Sequence, residues 1–291
     1  MMSDNETAPG WFVDALATPV DKGTVEVQGA TIAYRAWGDT GKPGVVLVHG
    51  GMAHSGWWDH IGPQLAQGRR VVALDLSGHG DSMHREHYSL EAWSAEVLAA
   101  AAAGGITGRP VLLGHSMGGI VSFATAHLHG DRLGGAIVLD SPIRDLTPEE
   151  LEMRAKIAAN AGPPKVYPSV DAAVARFRLV PPQDTAEPYV LDRIARGSLK
   201  QVEGGWSWKF DNLRMGREGR GSLESMTPRC RLAYFRSEHG IVDDTLAARI
   251  RRHLGPDALM VELPAAGHHP MIDQPLAVVT AARTVLATWE G

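Results

Sequence analysis

The chain has 291 residues, of which 44% are hydrophobic and 21% are charged, a balance that is ordinary for a folded globular protein with a substantial core. Its formal net charge of −5, without a basic block, argues against nucleic acid as a partner, and no apolar run approaches the ~18 residues that a membrane span needs. The first 19 residues lack the basic start and apolar stretch of a signal peptide, so we expect a cytoplasmic protein without a membrane partner.

Apolar runs alternate with helical patterns along most of the chain, which predicts an α/β fold with a mainly parallel sheet and helices on both faces. Residues 24–37, broken at Gly29, predict an opening hairpin. The later strands are short and rich in Val, Leu and Ile, as expected where both faces of a sheet are buried. They are predicted at 44–48, 71–76, 111–114, 136–139, 231–236 and 259–263. Helices are predicted at 58–67, 90–103, 118–128, 244–254 and 275–289.

The alternation breaks at residues 141–227, which contain helical patterns at 148–161 and 170–177 but no convincing buried strand. We interpret this stretch as a helical cap inserted into a core domain formed by residues 1–140 and 228–291. Its aromatic residues, among them Trp206 and Trp208, are expected either to line a substrate cavity or to pack the cap onto the sheet.

The motif GHSMG at residues 114–118 lies between a predicted strand and a predicted helix. In that context it indicates a nucleophile elbow, a strained turn whose neighbours must be small and which exposes the serine hydroxyl above the sheet. Ser116 is therefore the predicted nucleophile, and His115 is expected beside the substrate. The following helix adds a favourable field for developing negative charge.

A serine hydroxyl is a poor nucleophile near neutral pH and needs a base within hydrogen-bond reach. The loop after the last predicted strand, residues 264–270 with the sequence PAAGHHP, supplies two histidines. We predict His268 as the base because the preceding glycine places it at the tight turn. His269, next to Pro270, is predicted to line the pocket.

An oxyanion needs two preorganised backbone donors, and one of them should be the amide after the nucleophile, here Met117. The glycine-rich turn after residues 45–48 supplies the second, for which Gly51 is predicted and Met52 is the alternative. Met52 is also expected to contact the substrate. His49 is interpreted as a hydrogen-bonded structural histidine under the pocket.

The remaining residues suggest neither a disulfide nor a metal. Cys230 has no second cysteine to pair with and heads an apolar run, which favours a buried structural thiol over a nucleophile. None of the thirteen histidines shows HExxH spacing, and His127 and His129 have no acidic or cysteine neighbour. The prediction is a protein that uses no metal and no cofactor.

With these motifs in place, the chain resembles the α/β-hydrolase fold family over nearly its whole length. Four segments carry the resemblance: VHGG at 48–51, DLSGHGDS at 75–82, GHSMGG at 114–119 and the pair Gly267-His268. The resemblance implies an eight-stranded, mostly parallel sheet and a cap inserted after the sixth strand. It also implies that residues 75–82 shape a loop and take no part in catalysis.

The third member of the expected triad departs from the family pattern. Most members carry an Asp after the seventh strand, where this sequence has His239, which cannot supply the negative charge that holds the imidazole tautomer. Glu238 is one residue early and needs a shifted loop. Asp140 ends the strand predicted at 136–139, at the edge where α/β active sites gather, and some lactonases and cofactor-free dioxygenases of the family carry their acid there. We favour Asp140 and keep Glu238 as the alternative.

Serine at the elbow excludes haloalkane dehalogenase and epoxide hydrolase activities, because both need a carboxylate there. The first hypothesis is hydrolysis of a small carboxylic ester or lactone through an acyl-enzyme. Carbon–carbon bond hydrolysis or cofactor-free oxygenation of a ring ketone is the alternative, since the same triad serves both in related families. A ligand receptor that turns over slowly is a third possibility. In each case the partner is a small molecule.

Overall fold

The strands and helices follow the alternation of apolar runs in the sequence. A computed structural model describes residues 8–160, 162–211 and 221–290. The strands are β1 (Asp21–Val27), β2 (Ala30–Trp37), β3 (Gly44–Val48), β4 (Arg70–Leu74), β5 (Val111–His115), β6 (Gly135–Leu139), β7 (Leu199–Val202), β8 (Gly205–Trp208), β9 (Leu232–His239) and β10 (Leu259–Gly267). The helices are α1 (Gly10–Ala17), α2 (Gly62–Leu65), α3 (Leu90–Ala103), α4 (Met117–His129), α5 (Pro148–Ala159), α6 (Val170–Val174), α7 (Pro188–Gly197), α8 (Asp244–Leu254), α9 (Pro270–Asp273) and α10 (Pro275–Glu290).

Eight strands form one sheet in the order β1-β2-β4-β3-β5-β6-β9-β10. The hairpin β1–β2 pairs antiparallel with β4 at one side, and every later pair in the sheet is parallel. All residues of β3, β4 and β6 are buried, as expected for strands covered on both faces. The predicted eight-stranded, mostly parallel sheet is confirmed.

Apolar side chains alternate along the strands between two cores. In β3, Val46 and Val48 belong to the core that contains Phe123 of α4, whereas Val45 and Leu47 belong to the core that contains Val278 of α10. The predicted helices on both faces are therefore confirmed, because successive side chains of a strand point to opposite faces. Within the described part of the chain, no helix is both long enough and apolar enough to cross a membrane.

The parallel strands bring four loops to one edge of the sheet. In the β5–β6 pair His115 lies opposite Leu139, so Ser116 and Asp140 leave the sheet at the same level. Strand β3 ends just before the turn at His49, and β10 ends just before His268. Ligand sites of open α/β sheets lie outside the carboxyl ends of the strands, so a site is expected at this edge.

The helix predicted at 58–67 is much shorter than expected, and three helices were not predicted. Residues 58–67 contain only the four-residue α2, preceded by a 3-10 turn at Ser55–Trp58. Pro63 lies in α2 and lacks a backbone N–H, so the chain enters that helix there and does not extend an earlier one. Helices α1, α7 and α9 lie in segments where no helix had been predicted.

The inserted segment had been expected to be helical, but it is not wholly so. Helices α5, α6 and α7 are followed by an antiparallel hairpin of β7 and β8, in which Gly204 of the turn has φ +80° and Gly205, the first residue of β8, has φ +147°. These conformations favour glycine, so the Gly-Gly pair determines where the hairpin turns. The strands have only four residues each and are only partly buried, which is why they left no apolar run in the sequence. The last residue of the helix predicted at 148–161 lies outside the described residues.

Candidate active site

Ser116 occupies a strained turn between β5 and α4. Its backbone has φ +53° and ψ −117°, a region that L-residues other than glycine rarely adopt, and its amide donates to Leu139 O at 3.0 Å. A Cβ at Gly114 would overlap the Gly118 carbonyl, and one at Gly118 would overlap the Val48 carbonyl. The turn therefore requires both glycines of the GHSMG motif, which explains the spacing found in the sequence.

His268 lies against Ser116 directly after β10. Its Nε2 is 3.1 Å from Ser116 Oγ, and its Nδ1 is 2.8 Å from Asp140 Oδ2. The side chain is 4% exposed. His115 Nε2 donates to the His268 carbonyl at 2.7 Å, which ties the histidine loop to the end of β5. His115, which was predicted to lie beside the substrate, thus uses its Nε2 in a hydrogen bond with the main chain of His268.

Of the two candidate acids, Asp140 is the one that meets His268. Its carboxylate is fully buried and also accepts from the Ser237 amide at 3.3 Å and the Ile241 amide at 3.0 Å. Glu238 is exposed, and its Oε2 accepts from the Ala265 amide at 2.7 Å. The structure therefore places Glu238 on the backbone before the histidine loop, away from the imidazole nitrogens.

Gly240 provides the space that Asp140 occupies. A Cβ at Gly240 would overlap the Asp140 carboxylate, while His239 beside it is exposed. Asp140 itself has φ +41°, so the chain turns sharply as it leaves β6. The end of β9 and the loop after it, where the family's usual acid stands, thus provide the space and two amide donors for an acid that follows β6.

The backbone amides of Gly51 and Met117, predicted as oxyanion donors, both lie near Ser116. Gly51 lies next to Met117, since a Cβ at Gly51 would be 3.9 Å from Met117 Sδ. Over the ranges that the structure describes, neither the Gly51 amide nor the Met117 amide donates to a protein acceptor. Met52 has φ +59° and lines the cavity with an exposed side chain. Met117 also begins the 13-residue helix α4, whose field favours negative charge at this end.

His49 holds the turn that carries Gly51. It is buried, its Nδ1 lies 2.7 Å from the Gly50 carbonyl, and its Nε2 accepts from the Leu76 amide at 3.0 Å. This pattern requires the tautomer with the proton on Nδ1. Burial lowers the pKa of His49, so the ring stays neutral. These contacts match the structural interpretation of this histidine.

Three histidine rings cluster at the site. The ring centroids of His115 and His269 lie 4.8 and 4.7 Å from that of His268. Burial lowers the pKa of His115 well below its usual value and lowers that of His269 to about 3. Both neighbours are therefore neutral near pH 7 and do not oppose a positive charge on His268. One ring nitrogen from each of the three lies within 4.8 Å of the others, so among the described residues these three side chains could together hold a metal ion.

A cavity of about 330 Å³ opens above Ser116, and a second of about 230 Å³ adjoins it. The first is lined by Gly50, Gly51, Met52, Ala53, Trp57, His115, Ser116, Met117, Ile120, Pro142, Arg154, Ile157, Val180, Ile241, His268 and His269. The two cavities share Trp57 and His269, among other residues. Trp208 lines the second, but Trp206 lines neither; it instead forms a backbone bridge with Tyr167. The expectation that Trp206 lines the substrate cavity was wrong for these two spaces.

Several residues that support the site gave no signal in the sequence. Gln183, from the inserted segment, accepts from the His269 amide at 2.8 Å. Asp273 accepts from the Gly267 amide at 2.7 Å and from the Thr185 hydroxyl at 2.8 Å. Arg154 and Trp57 line the cavity without belonging to any motif.

Cys230 is half-buried, which raises the pKa of its thiol to about 11, and it lines neither cavity.

Comparisons with known proteins agree with this fold. A sequence model of the alpha/beta hydrolase family matches residues 45–282. An esterase of Mycobacterium tuberculosis is 26% identical over 275 residues, covering 90% of this chain and 88% of the relative. The pimeloyl-[acyl-carrier protein] methyl ester esterase of Chromobacterium violaceum is 28% identical over 253 residues, covering 84% and 95%.

Among solved structures, a thermophilic esterase from Thermogutta terrifontis superposes with a TM-score of 0.69 at 26% identity, covering 94% of this chain and 100% of that one. The family match spans both the elbow at Ser116 and the loop at His268. It extends over well more than half of the sequence, and the chain therefore belongs to the alpha/beta hydrolase family.

Proposed function

We propose that this protein is a serine esterase that cleaves a small carboxylic ester through an acyl-enzyme. The observation that carries the proposal is the continuous chain from Ser116 Oγ to His268 Nε2 at 3.1 Å and from His268 Nδ1 to Asp140 at 2.8 Å, at the floor of a cavity. The esterase names of the relatives in Mycobacterium tuberculosis and Chromobacterium violaceum support an ester as the substrate.

In the acylation half of the reaction, Ser116 Oγ attacks the ester carbonyl while His268 Nε2 accepts the hydroxyl proton. The carbonyl oxygen becomes an oxyanion, which accepts hydrogen bonds from the Gly51 and Met117 amides. Asp140 accepts the Nδ1 proton of His268 in a hydrogen bond and stabilises the imidazolium. His268 then donates its new proton to the departing alkoxide, which leaves as the alcohol and completes the acyl-enzyme.

Deacylation repeats these steps with water as the nucleophile. His268 accepts a proton from the water as its oxygen attacks the acyl carbonyl, and the same two amides hold the oxyanion. Collapse of this intermediate releases the carboxylic acid and returns the proton to Ser116. A lactone would follow the same course, except that its alcohol stays attached to the acyl group, so small lactones belong in the same substrate panel.

The test is labelling with a fluorophosphonate followed by peptide mapping. Ser116 should carry the label, and Ser116→Ala should take up none and should lose ester turnover. Labelling at another residue, or undiminished turnover of the alanine variant, would contradict the assignment. A panel of esters and lactones that differ in acyl length then identifies the preferred class, with the burst of released alcohol reporting the acyl-enzyme.

A further inference from the structure

The charged side chains that line the two cavities are all cationic. Arg154 of α5 lines the cavity above Ser116, and Arg176 and Arg178 line the adjoining one. No Asp or Glu among the described residues lines either space. This is opposite to the overall charge of the chain, which is −5. A cleft of one sign attracts ligands of the other sign.

Other arginines of the inserted segment are neutralised by carboxylates. Arg144 pairs with Glu150 at 2.5 Å, Arg193 with Asp59 at 3.0 Å, and Arg196 with Asp192 at 2.9 Å. Each of these three lies outside the walls of the two cavities. The arginines that line the cavities therefore differ from their neighbours in their ionic surroundings as well as in their position.

Arg154 has no such partner. Throughout residues 8–160, 162–211 and 221–290, no carboxylate lies within ion-pair distance of its guanidinium. The side chain is half-buried, and desolvation lowers its pKa although Glu150 acts in the opposite direction. A guanidinium that is partly removed from water without a counter-ion carries an uncompensated desolvation cost. An anionic ligand group would offset that cost.

We infer that the substrate is an ester that also carries a free carboxylate, such as a half ester of a dicarboxylic acid, and that Arg154 binds this carboxylate while Ser116 attacks the ester carbonyl. The inference rests on the proposed esterase function. A guanidinium binds a carboxylate through two parallel N–H···O bonds, which orients the substrate as well as holding it. Arg176 and Arg178 add positive potential at the adjoining cavity and favour entry of the anion.

The experiment compares half esters with neutral esters of matched length. Monomethyl esters of the dicarboxylic acids from succinate to suberate are assayed beside methyl esters of the monocarboxylic acids with the same number of carbons, and methanol release is measured. The wild type should show the higher kcat/KM for at least one half ester over its neutral counterpart. A preference for the neutral ester at every length would overturn the inference.

The variants isolate Arg154 from the general charge of the cap. Arg154→Gln should lower kcat/KM for the preferred half ester about tenfold or more, mainly through KM, and should leave the neutral ester within about twofold. Arg154→Lys should retain part of the preference, because it keeps the charge but loses the bidentate geometry. The control is Lys156→Gln, which removes one positive charge from the exposed side of the same helix and should change neither substrate. Equal losses on both substrates in Arg154→Gln would contradict a role in recognising the anion.

Binding to Ser116→Ala separates this inference from the proposed function. Calorimetry should show tighter binding of the half ester than of the neutral ester, and Ser116→Ala/Arg154→Gln should abolish the difference. If this binding pattern appears while the wild type turns over no ester, the anion site stands and the esterase proposal fails. If the wild type cleaves neutral esters while Ser116→Ala binds both ligands equally, the esterase proposal stands and the anion site is wrong.

Discussion

Asp140 is held by its surroundings in a conformation that few residues adopt. It leaves β6 at φ +41°, its carboxylate is fully buried, and it accepts from the amides of Ser237 in β9 and Ile241 in the following loop as well as from His268. A carboxylate fixed by several donors can hold the tautomer of a catalytic imidazole.

Asp140→Asn should lower kcat by a large factor, up to about 10⁴, because the amide cannot hold the imidazole in the tautomer that accepts the serine proton. Glu238→Gln should leave kcat near that of the wild type, since Glu238 contacts the backbone of Ala265 and is exposed. Steady-state kinetics on one ester checks both, with circular dichroism to show that each variant is folded. The reverse result would assign the acid to Glu238.

Gly240→Ala should lower kcat about 10- to 100-fold, because its Cβ would displace the Asp140 carboxylate and misplacements of this size have such effects. The double variant Gly240→Ala/Asp140→Asn distinguishes displacement of the Asp140 carboxylate from a general disturbance of the fold. If Gly240→Ala acts through Asp140, the double variant should be scarcely slower than Asp140→Asn alone. Fully additive losses would show that Gly240 acts by another route. Gly10→Ala, where a Cβ meets open space, is the control.

At the scale of secondary structure, parallel strand pairing brings the site together, and the inserted segment contributes part of its walls. Strands β5, β6 and β10 deliver Ser116, Asp140 and His268 to one edge. The inserted segment contributes Arg154 from α5 and Trp208 from β8 to the cavity walls. Loops on a rigid sheet often supply specificity in this way, so changes in the inserted segment should alter substrate choice more than chemistry.

The hairpin of β7 and β8 offers a matched pair of tryptophans. Trp208 lines the second cavity and lies against Phe177 with ring centroids 5.6 Å apart, whereas Trp206 lines neither cavity. Trp208→Ala should change the ratio of kcat/KM for long-chain against short-chain esters by about tenfold, since it removes apolar contact from one wall. Trp206→Ala should leave that ratio unchanged. Equal changes in both variants would indicate a general loosening of the hairpin.

At the scale of the whole molecule, the fold buries several histidines in their neutral form. His54, His60 and His79 are 4%, 1% and 0% exposed, and burial lowers their pKa to about 4, 4 and 3. In the unfolded chain the same side chains take up a proton near pH 6.5. Between these values the unfolded state binds more protons, so acid favours unfolding.

The free energy of unfolding should therefore be fully retained above about pH 6.5 and should fall as the pH drops towards 4. Each such histidine contributes a loss of about 2 kcal/mol at pH 5. Urea unfolding at pH 7.5 and pH 5 measures the difference. His79→Asn, which keeps a donor near the Ser77 carbonyl, should reduce it, whereas His87→Asn at an exposed position should not. No change in the pH dependence with His79→Asn would contradict this account.

Much of this protein was determined by short stretches of sequence. The buried strands predicted from apolar runs were found, because a parallel strand covered on both faces must be apolar throughout. The elbow at Ser116 could be predicted because its glycines, its strand and its helix all lie within residues 111–129. The glycines that the turn requires are therefore visible in a short stretch of sequence. The Gly-His pair after the last strand gave the partner histidine for the same reason.

Only the tertiary structure decided which carboxylate meets His268 and what lines the cavity. Asp140 and His268 are 128 residues apart, and their contact depends on the register of β6 against β5 and on the space left by Gly240. The four-residue hairpin strands are too short and too exposed to leave a periodic pattern. Trp57 and Arg154 come from separate segments that meet only when the sheet edge forms. Contacts between such distant segments cannot be predicted from the spacing of residues along the sequence.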